Sequence, residues 1–232
     1  MSVKRIFTLL LLLSLSFIAT AQDLKPFKAN YEVYRGDTFI AKSKFSLTQQ
    51  NAFWVWSMTS KARGVFSLLT RKKPFAETRM EETANGLRLT QELHGDHPDK
   101  PARETTWFDH AHKTIFFTKG KKSEKLNLPD KDLYNYHSVH MLYPQLLQHP
   151  QGKLEVNFYK KGKVRPSTLF LEKQVKVNIK AESVVVDRVT QTLEGSSRKM
   201  VYYYQDASLV PLMIIQSKQG EDTTRMLRIK KK

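Results

Sequence analysis

The chain contains no cysteine. Disulfides are therefore excluded, and so is lipid attachment through a cysteine at a leader's cleavage point. A folded state has to rest on an apolar core alone. Catalytic signatures are just as scarce. There is no G-x-S-x-G elbow, no H-E-x-x-H pair, no phosphate loop and no dinucleotide fingerprint. Ser196 and Ser197 follow Gly195 in a turn between two strands, and Ser138 reads as helix surface. Glu81 and Glu82 are adjacent on a strand, so they face opposite ways and cannot flank one bond. Acidic residues are few, 22 Asp and Glu against 39 Lys and Arg, for a net charge of +17.

What is present begins with an address. Lys4 and Arg5 precede an apolar run from Ile6 to Ile18, and Ala19-Thr20-Ala21 supplies small residues where a signal peptidase reads. The run is shorter than the roughly 20 residues a bilayer-crossing helix needs, and polar Gln22 and Asp23 follow at once. The sequence thus predicts a signal peptide over 1–21, cleavage between Ala21 and Gln22, and a mature periplasmic chain over 22–232 that does not span the membrane. Loss of Lys4 and Arg5 lowers the charge from +17 to +15. So large an imbalance speaks to partners rather than to fold. Export removes nucleic acid and leaves anionic lipid, lipopolysaccharide or an acidic envelope protein.

The mature chain alternates with period two, the mark of half-buried strands. Expected strands are Phe27 to Val33, Phe39 to Leu47, Phe53 to Ala62, Ala76 to Glu82 and Leu87 to His94, with an Asn85-Gly86 hairpin turn. Thr105 to Asp109 and Lys113 to Thr118 form another pair, and Lys119 to Asp130 reads as a basic loop. Leu133 to Gln148 is the one expected helix, with Leu133, Tyr136, His140, Tyr143 and Leu147 spaced by three and four; Pro144 should kink or split it. Strands resume at Leu154 to Lys160, Thr168 to Lys173, Val175 to Lys180, Val184 to Leu193, Lys199 to Gln205, Pro211 to Lys218 and Thr223 to Lys230. With no repeat, linker or break in composition, one domain is expected.

Three strands are apolar or aromatic on both faces: Phe53 to Trp56, Tyr202 to Tyr204 and Leu212 to Ile215. A helix packs at about 8–10 Å and strands lie about 5 Å apart, so one helix roofs only about two strands. The expected architecture is mainly β: a strongly curved, half-barrel-like antiparallel sheet wrapped around one central helix. The uncovered remainder should be the inside of the curved sheet, a ligand cavity or a partner surface.

Several stretches resemble one bacterial family. PFKANYEVYRGDTFIAKSKFSL, WVWSMTSKARGVFSLL, LYNYHSVHMLYPQLL and VYYYQDASLVPLMIIQSKQGEDTTRMLRI are similar to the domain of unknown function 3108 family over most of residues 24–230. The closing hairpin carries Tyr203, Asp206, Leu209 and Pro211, and the run Tyr134 to His137 departs from the family pattern. The resemblance implies an exported protein with a curved antiparallel sheet, and it brings no catalytic residue.

Three function classes follow as expectations. The first is a non-enzymatic periplasmic protein that binds a lipid or other amphipathic envelope component, with Trp54, Trp56, Tyr202, Tyr204 and Met213 on a concave face. The second is a module that docks on an acidic envelope partner through basic loops and a sheet edge. The basic clusters are Arg71 to Lys73, Lys119 to Lys125, Lys160 to Arg165 and the tail Lys230 to Lys232. Four charges in one patch attract an anionic membrane by about 4 kcal/mol, so a tighter hold needs apolar burial. The third class is a metal-dependent enzyme, for which His94, His97, His110 and His112 are the candidate ligands; convergence at about 2 Å would be required. No cofactor is expected.

Overall fold

Alternating side chains do lay down strands, and every strand among the described residues joins one fifteen-stranded sheet. The computed structural model describes residues 24–229 apart from Asn85 and Ala207. The expected leader with its Ala21–Gln22 cleavage point, the Asn85 half of the hairpin turn and the lysine tail lie outside the described residues.

The first half is an antiparallel meander: β1 (Phe27–Arg35), β2 (Thr38–Gln50), β3 (Phe53–Ala62), β4 (Phe75–Thr83), β5 (Gly86–Gly95), β6 (Glu104–Asp109), β7 (Thr114–Lys119) and β8 (Lys122–Asn127). A four-residue helix, α1 (Phe66–Leu69), sits between β3 and β4. The second half runs β9 (Leu133–Tyr134), β10 (Lys153–Lys160), β11 (Lys163–Ile179), β12 (Glu182–Leu193), β13 (Arg198–Tyr204), β14 (Met213–Lys218) and β15 (Glu221–Arg228). Antiparallel pairing of β1 with β15 joins the halves, and β8 and β9 are the two edges.

Two expectations over 119–148 are corrected. The basic loop contains strand β8, whose side chains are almost all exposed; at a sheet edge that leaves no apolar alternation to read. The continuous helix is absent. Leu133–Tyr134 pairs in parallel with β10 as β9, a 3-10 helix follows at Ser138–Leu142, and α2 occupies Tyr143–Gln148. Pro144 lies in the first turn of α2, where its missing N–H costs nothing. The helical segment is thus the crossover that a parallel strand pair requires. All five residues of the 3-10 helix are buried, and Val139, Met141 and Leu142 lie in the main core with Trp56, Tyr31 and Leu169.

Side chains draw the sheet's two ends together. Thr106 Oγ1 on β6 meets the Tyr159 hydroxyl on β10 at 2.8 Å, and that hydroxyl accepts the Gly162 N–H at 3.0 Å. Gly162 is held at φ +73°, and a Cβ there would stand 2.9 Å from the Phe117 ring of β7. Only glycine fits so close an approach.

The second apolar face of the closing strands has its own roof. Tyr203, Leu212, Met213, Leu227 and Val186 form a separate outer cluster, packed by Val177, Ile179 and Val184. These last three belong to the far end of the β11–β12 hairpin, beyond a register shift between Glu172 and Val175 where Gln174 takes φ +56°. The bend lays the hairpin across the sheet's outer side, and at its tip Lys180 Nζ reaches Glu32 Oε2 of β1 at 2.7 Å. One arm of the sheet covers what the helix cannot.

Candidate functional site

The run Tyr134 to His137 leads into the largely buried segment 135–148, a plug against the sheet, and anchors it. Asn135 is fully enclosed and is its hub. Its Oδ1 accepts the N–H of His137 at 3.0 Å, the N–H of Ser138 at 2.9 Å and the Ser138 hydroxyl at 3.1 Å. Its own N–H donates to Ser138 Oγ at 2.9 Å. This reciprocal pattern is that of a capping box and starts the 3-10 helix. Ser138 is therefore an interior capping residue; the expectation of helix surface fails because the helix has no solvent face here. Asn135 Nδ2 donates to Thr78 Oγ1 at 2.9 Å and to Glu92 Oε1 at 3.0 Å. These bonds tie the plug to β4 and β5.

Two histidines stand on this plug. His137 Nδ1 meets Thr78 Oγ1 at 2.7 Å, and His140 Nδ1 meets the Tyr204 hydroxyl at 2.8 Å. Burial pushes both imidazoles down to about 3, helped at His137 by His94 and His140, so both are neutral at pH 7. Thr78 accepts from Asn135, and donation to His137 Nδ1 uses its one proton. Tyr204 is held protonated by burial, and because its hydroxyl has no other hydrogen-bond partner among the described residues, it is assigned as donor to His140 Nδ1. The hydrogen-bond network thus assigns the proton of each ring to Nε2. Trp56 stacks on both, at 4.9 Å and 7° to His140 and at 6.3 Å and 11° to His137.

Both histidines line a void of about 210 Å³ between plug and sheet. Its walls are mostly apolar, from Phe45, Met58, Ala76, Met200, Ile214 and Met226; His94, Tyr136, Gln216 and Thr224 are only half-buried. Among the described residues neither Nε2 has a hydrogen-bond partner. Nor is either among the fully enclosed orphaned atoms, which are Trp54 Nε1, Trp56 Nε1, His149 Nδ1 and Arg225 Nε. With Nδ1 of each ring bonded to Thr78 or Tyr204, Nε2 is the ring nitrogen left for the void that both rings line.

Of the five residues expected on a concave face, Tyr202 alone is a wall of this void. Its ring borders the space while its hydroxyl donates to Gln191 Oε1 at 2.8 Å. Trp54, Trp56 and Tyr204 are core residues, the last two backing the histidines. Met213 belongs to the outer cluster, because its neighbour Ile214 takes the inward position in the pleat. The four loop and strand histidines do not converge. His94 Nε2 lies 3.2 Å from Glu92, His97 faces Asp99, His110 Nε2 meets the Leu89 carbonyl at 2.6 Å and His112 faces Asp109. Among the described residues no three His, Cys, Asp or Glu are grouped so as to hold a metal ion. Asn135, His137 and His140 escape sequence reasoning because a helix surface is where polar residues at these spacings are ordinarily found.

No helix among the described residues is long and apolar enough to cross a membrane. A scan of protein-family models found no match, and neither did a search of curated proteins. Among solved structures the chain is similar to a beta-barrel-like protein of domain of unknown function DUF1849 from Brucella abortus, at 12% identity over 88% of this chain and 96% of that one, with a TM-score of 0.57. Likeness at that identity shows the fold alone: a mainly β, barrel-like architecture shared with a domain of unknown function.

Proposed function

We propose that this chain is an exported, non-enzymatic binding protein of the cell envelope, related to the domain of unknown function 3108 family, which takes part of a lipid or other amphipathic molecule into the void beneath the plug. The observation that carries this reading is the combination of greasy walls with two neutral N–H donors in a space of about 210 Å³. An apolar cavity of about 150 Å³ holds a benzene ring, whereas ligand pockets commonly run to about 300–1,000 Å³. The space suits a ring or a short stretch of acyl chain, with the rest of the molecule outside. A carbonyl such as that of an ester or amide matches the two donors, since a buried donor without an acceptor costs about 1–3 kcal/mol.

Native mass spectrometry of the protein, incubated with an envelope lipid extract, tests the proposal. Bound mass is expected on the natural chain and its loss on Ile214→Trp, which fills the void. A natural chain that stays free of ligand overturns it.

A further inference from the structure

The segment between β3 and β4 contributes nothing to the core. None of the residues of α1 is buried, and Val65, Leu68 and Leu69 are 68, 86 and 79% exposed. Large side chains this open, side by side on one turn, are unusual on a water-facing surface. The root of the finger, in contrast, is fixed. Ser60 N–H donates to the Pro74 carbonyl at 2.9 Å, Arg63 N–H to Ile40 at 2.9 Å and Lys73 N–H to Asp96 at 2.8 Å. A helical turn closes the tip, with Ser67 N–H and Oγ both bonded to the Gly64 carbonyl. An apolar tip is thus held out on an anchored stalk.

The surface at the root is cationic. Lys42, Lys44, Lys61 and Lys73 line an outer groove of about 460 Å³ together with Asn30 and Thr59. Lys61 precedes the finger and Lys73 ends it. Lys42 and Lys61 are directly opposed across the β2–β3 pair, an unfavourable arrangement that Glu32, opposite Lys42 on β1, offsets only in part because its carboxylate is bonded to Lys180. Among the described residues none of the four makes an ion pair. Exposed Arg63 and Arg71 add charge on the finger itself.

We infer that this finger docks the protein on an anionic lipid surface, its apolar tip entering the acyl boundary while the root lysines take lipid phosphates. The two features answer different parts of one target. An apolar tip has no use for a phosphate in free solution, and a lysine groove has none for neutral oil; a charged bilayer offers both. The inference is independent of what the void beneath the plug holds.

The test is co-sedimentation of the full mature chain with vesicles of phosphatidylethanolamine and phosphatidylglycerol, and with vesicles of phosphatidylcholine alone. The natural chain is expected to bind the anionic vesicles at least tenfold more tightly than the neutral ones, and to weaken as salt rises. Leu68→Asp with Leu69→Asp should lose at least tenfold in affinity, and Lys61→Glu with Lys73→Glu should remove the preference for anionic vesicles. Both pairs are exposed, so unchanged thermal melting is expected for each variant. Failure of the natural chain to bind anionic vesicles overturns the inference. Equal binding by the leucine variant overturns it too, as does capture on immobilised poly-glutamate that ignores the leucine changes, which would assign the face to an acidic protein.

Discussion

The Tyr204 hydroxyl donates to Nδ1 of His140 at 2.8 Å, and by doing so commits the imidazole proton to the nitrogen left for the void. Tyr204 is also stacked on Tyr143 at 4.1 Å and 9°, and the Tyr143 hydroxyl donates to Asp187 Oδ2 at 2.8 Å. The other Asp187 oxygen accepts the Gln174 N–H at 3.0 Å, at the bend of the β11–β12 arm. One chain of contacts therefore runs from the void, through the plug, to the arm that roofs the outer cluster.

Tyr204→Phe removes the donor and leaves His140 Nδ1 buried without a partner. A loss of about 1–3 kcal/mol in unfolding free energy is expected, read from urea melts at pH 7.5. Tyr202→Phe should cost a similar amount, since it strands Gln191 Oε1.

Acid should weaken the fold through the plug. His137 and His140 are held at about 3 in the folded chain, against an ordinary value of 6.5. Between those values the unfolded chain binds protons that the folded chain does not, so stability rises with pH across this window and is lost as pH falls below 6.5. Each histidine contributes a slope of about 1.4 kcal/mol per pH unit. Urea midpoints measured from pH 7.5 down to 4.5 should fall steeply, and His140→Gln should make the slope shallower by about half.

How much of this was legible in the sequence depended on periodicity. Half-buried strands announce themselves by alternation, so β1, β3 and β12 lie close to where Phe27, Phe53 and Val184 suggested. β8 has no buried face, and β9 is two residues long, so neither leaves such a trace. The spacing of Leu133, Tyr136 and His140 suggested one continuous helix, whereas Leu133 lies in β9, Tyr136 precedes the 3-10 helix and only His140 is within it. It could not distinguish a helix from a strand, a capped turn and two short helices, because Asn135 acts through contacts with Thr78 and Glu92 that lie 57 and 43 residues away. The doubled apolar faces rightly signalled a second layer. That the layer is an arm of the same sheet follows from the bend at Gln174, a left-handed position held by a residue other than glycine.

The seam between the sheet's ends depends on Gly162. Gly162→Ala forces a Cβ into the left-handed region and against the Phe117 ring. A penalty of about 1–2 kcal/mol comes from the backbone alone, with the ring contact adding to it. Thermal unfolding should shift down by several degrees, whereas Gly220→Ala, with open space around its Cβ, should show the backbone penalty only.

Shortening the arm separates roof from sheet. Replacing residues 177–184 with a two-residue turn uncovers Tyr203, Leu212 and Met213. Binding of a hydrophobic dye and concentration-dependent association are expected, with far-UV circular dichroism retained. Lys180→Ala alone should change stability by about 1 kcal/mol or less, as for other exposed ion pairs.

Nitrogen-15 NMR of the imidazole rings, recorded with and without a short-chain acyl ester, interrogates the void most directly. At pH 7 both His137 and His140 should appear as neutral Nε2–H tautomers, with their Nε2 resonances moving as the ester saturates the site. Protonated rings, Nδ1–H tautomers, or Nε2 resonances that ignore every acyl ester tried would contradict a donor-lined binding cavity.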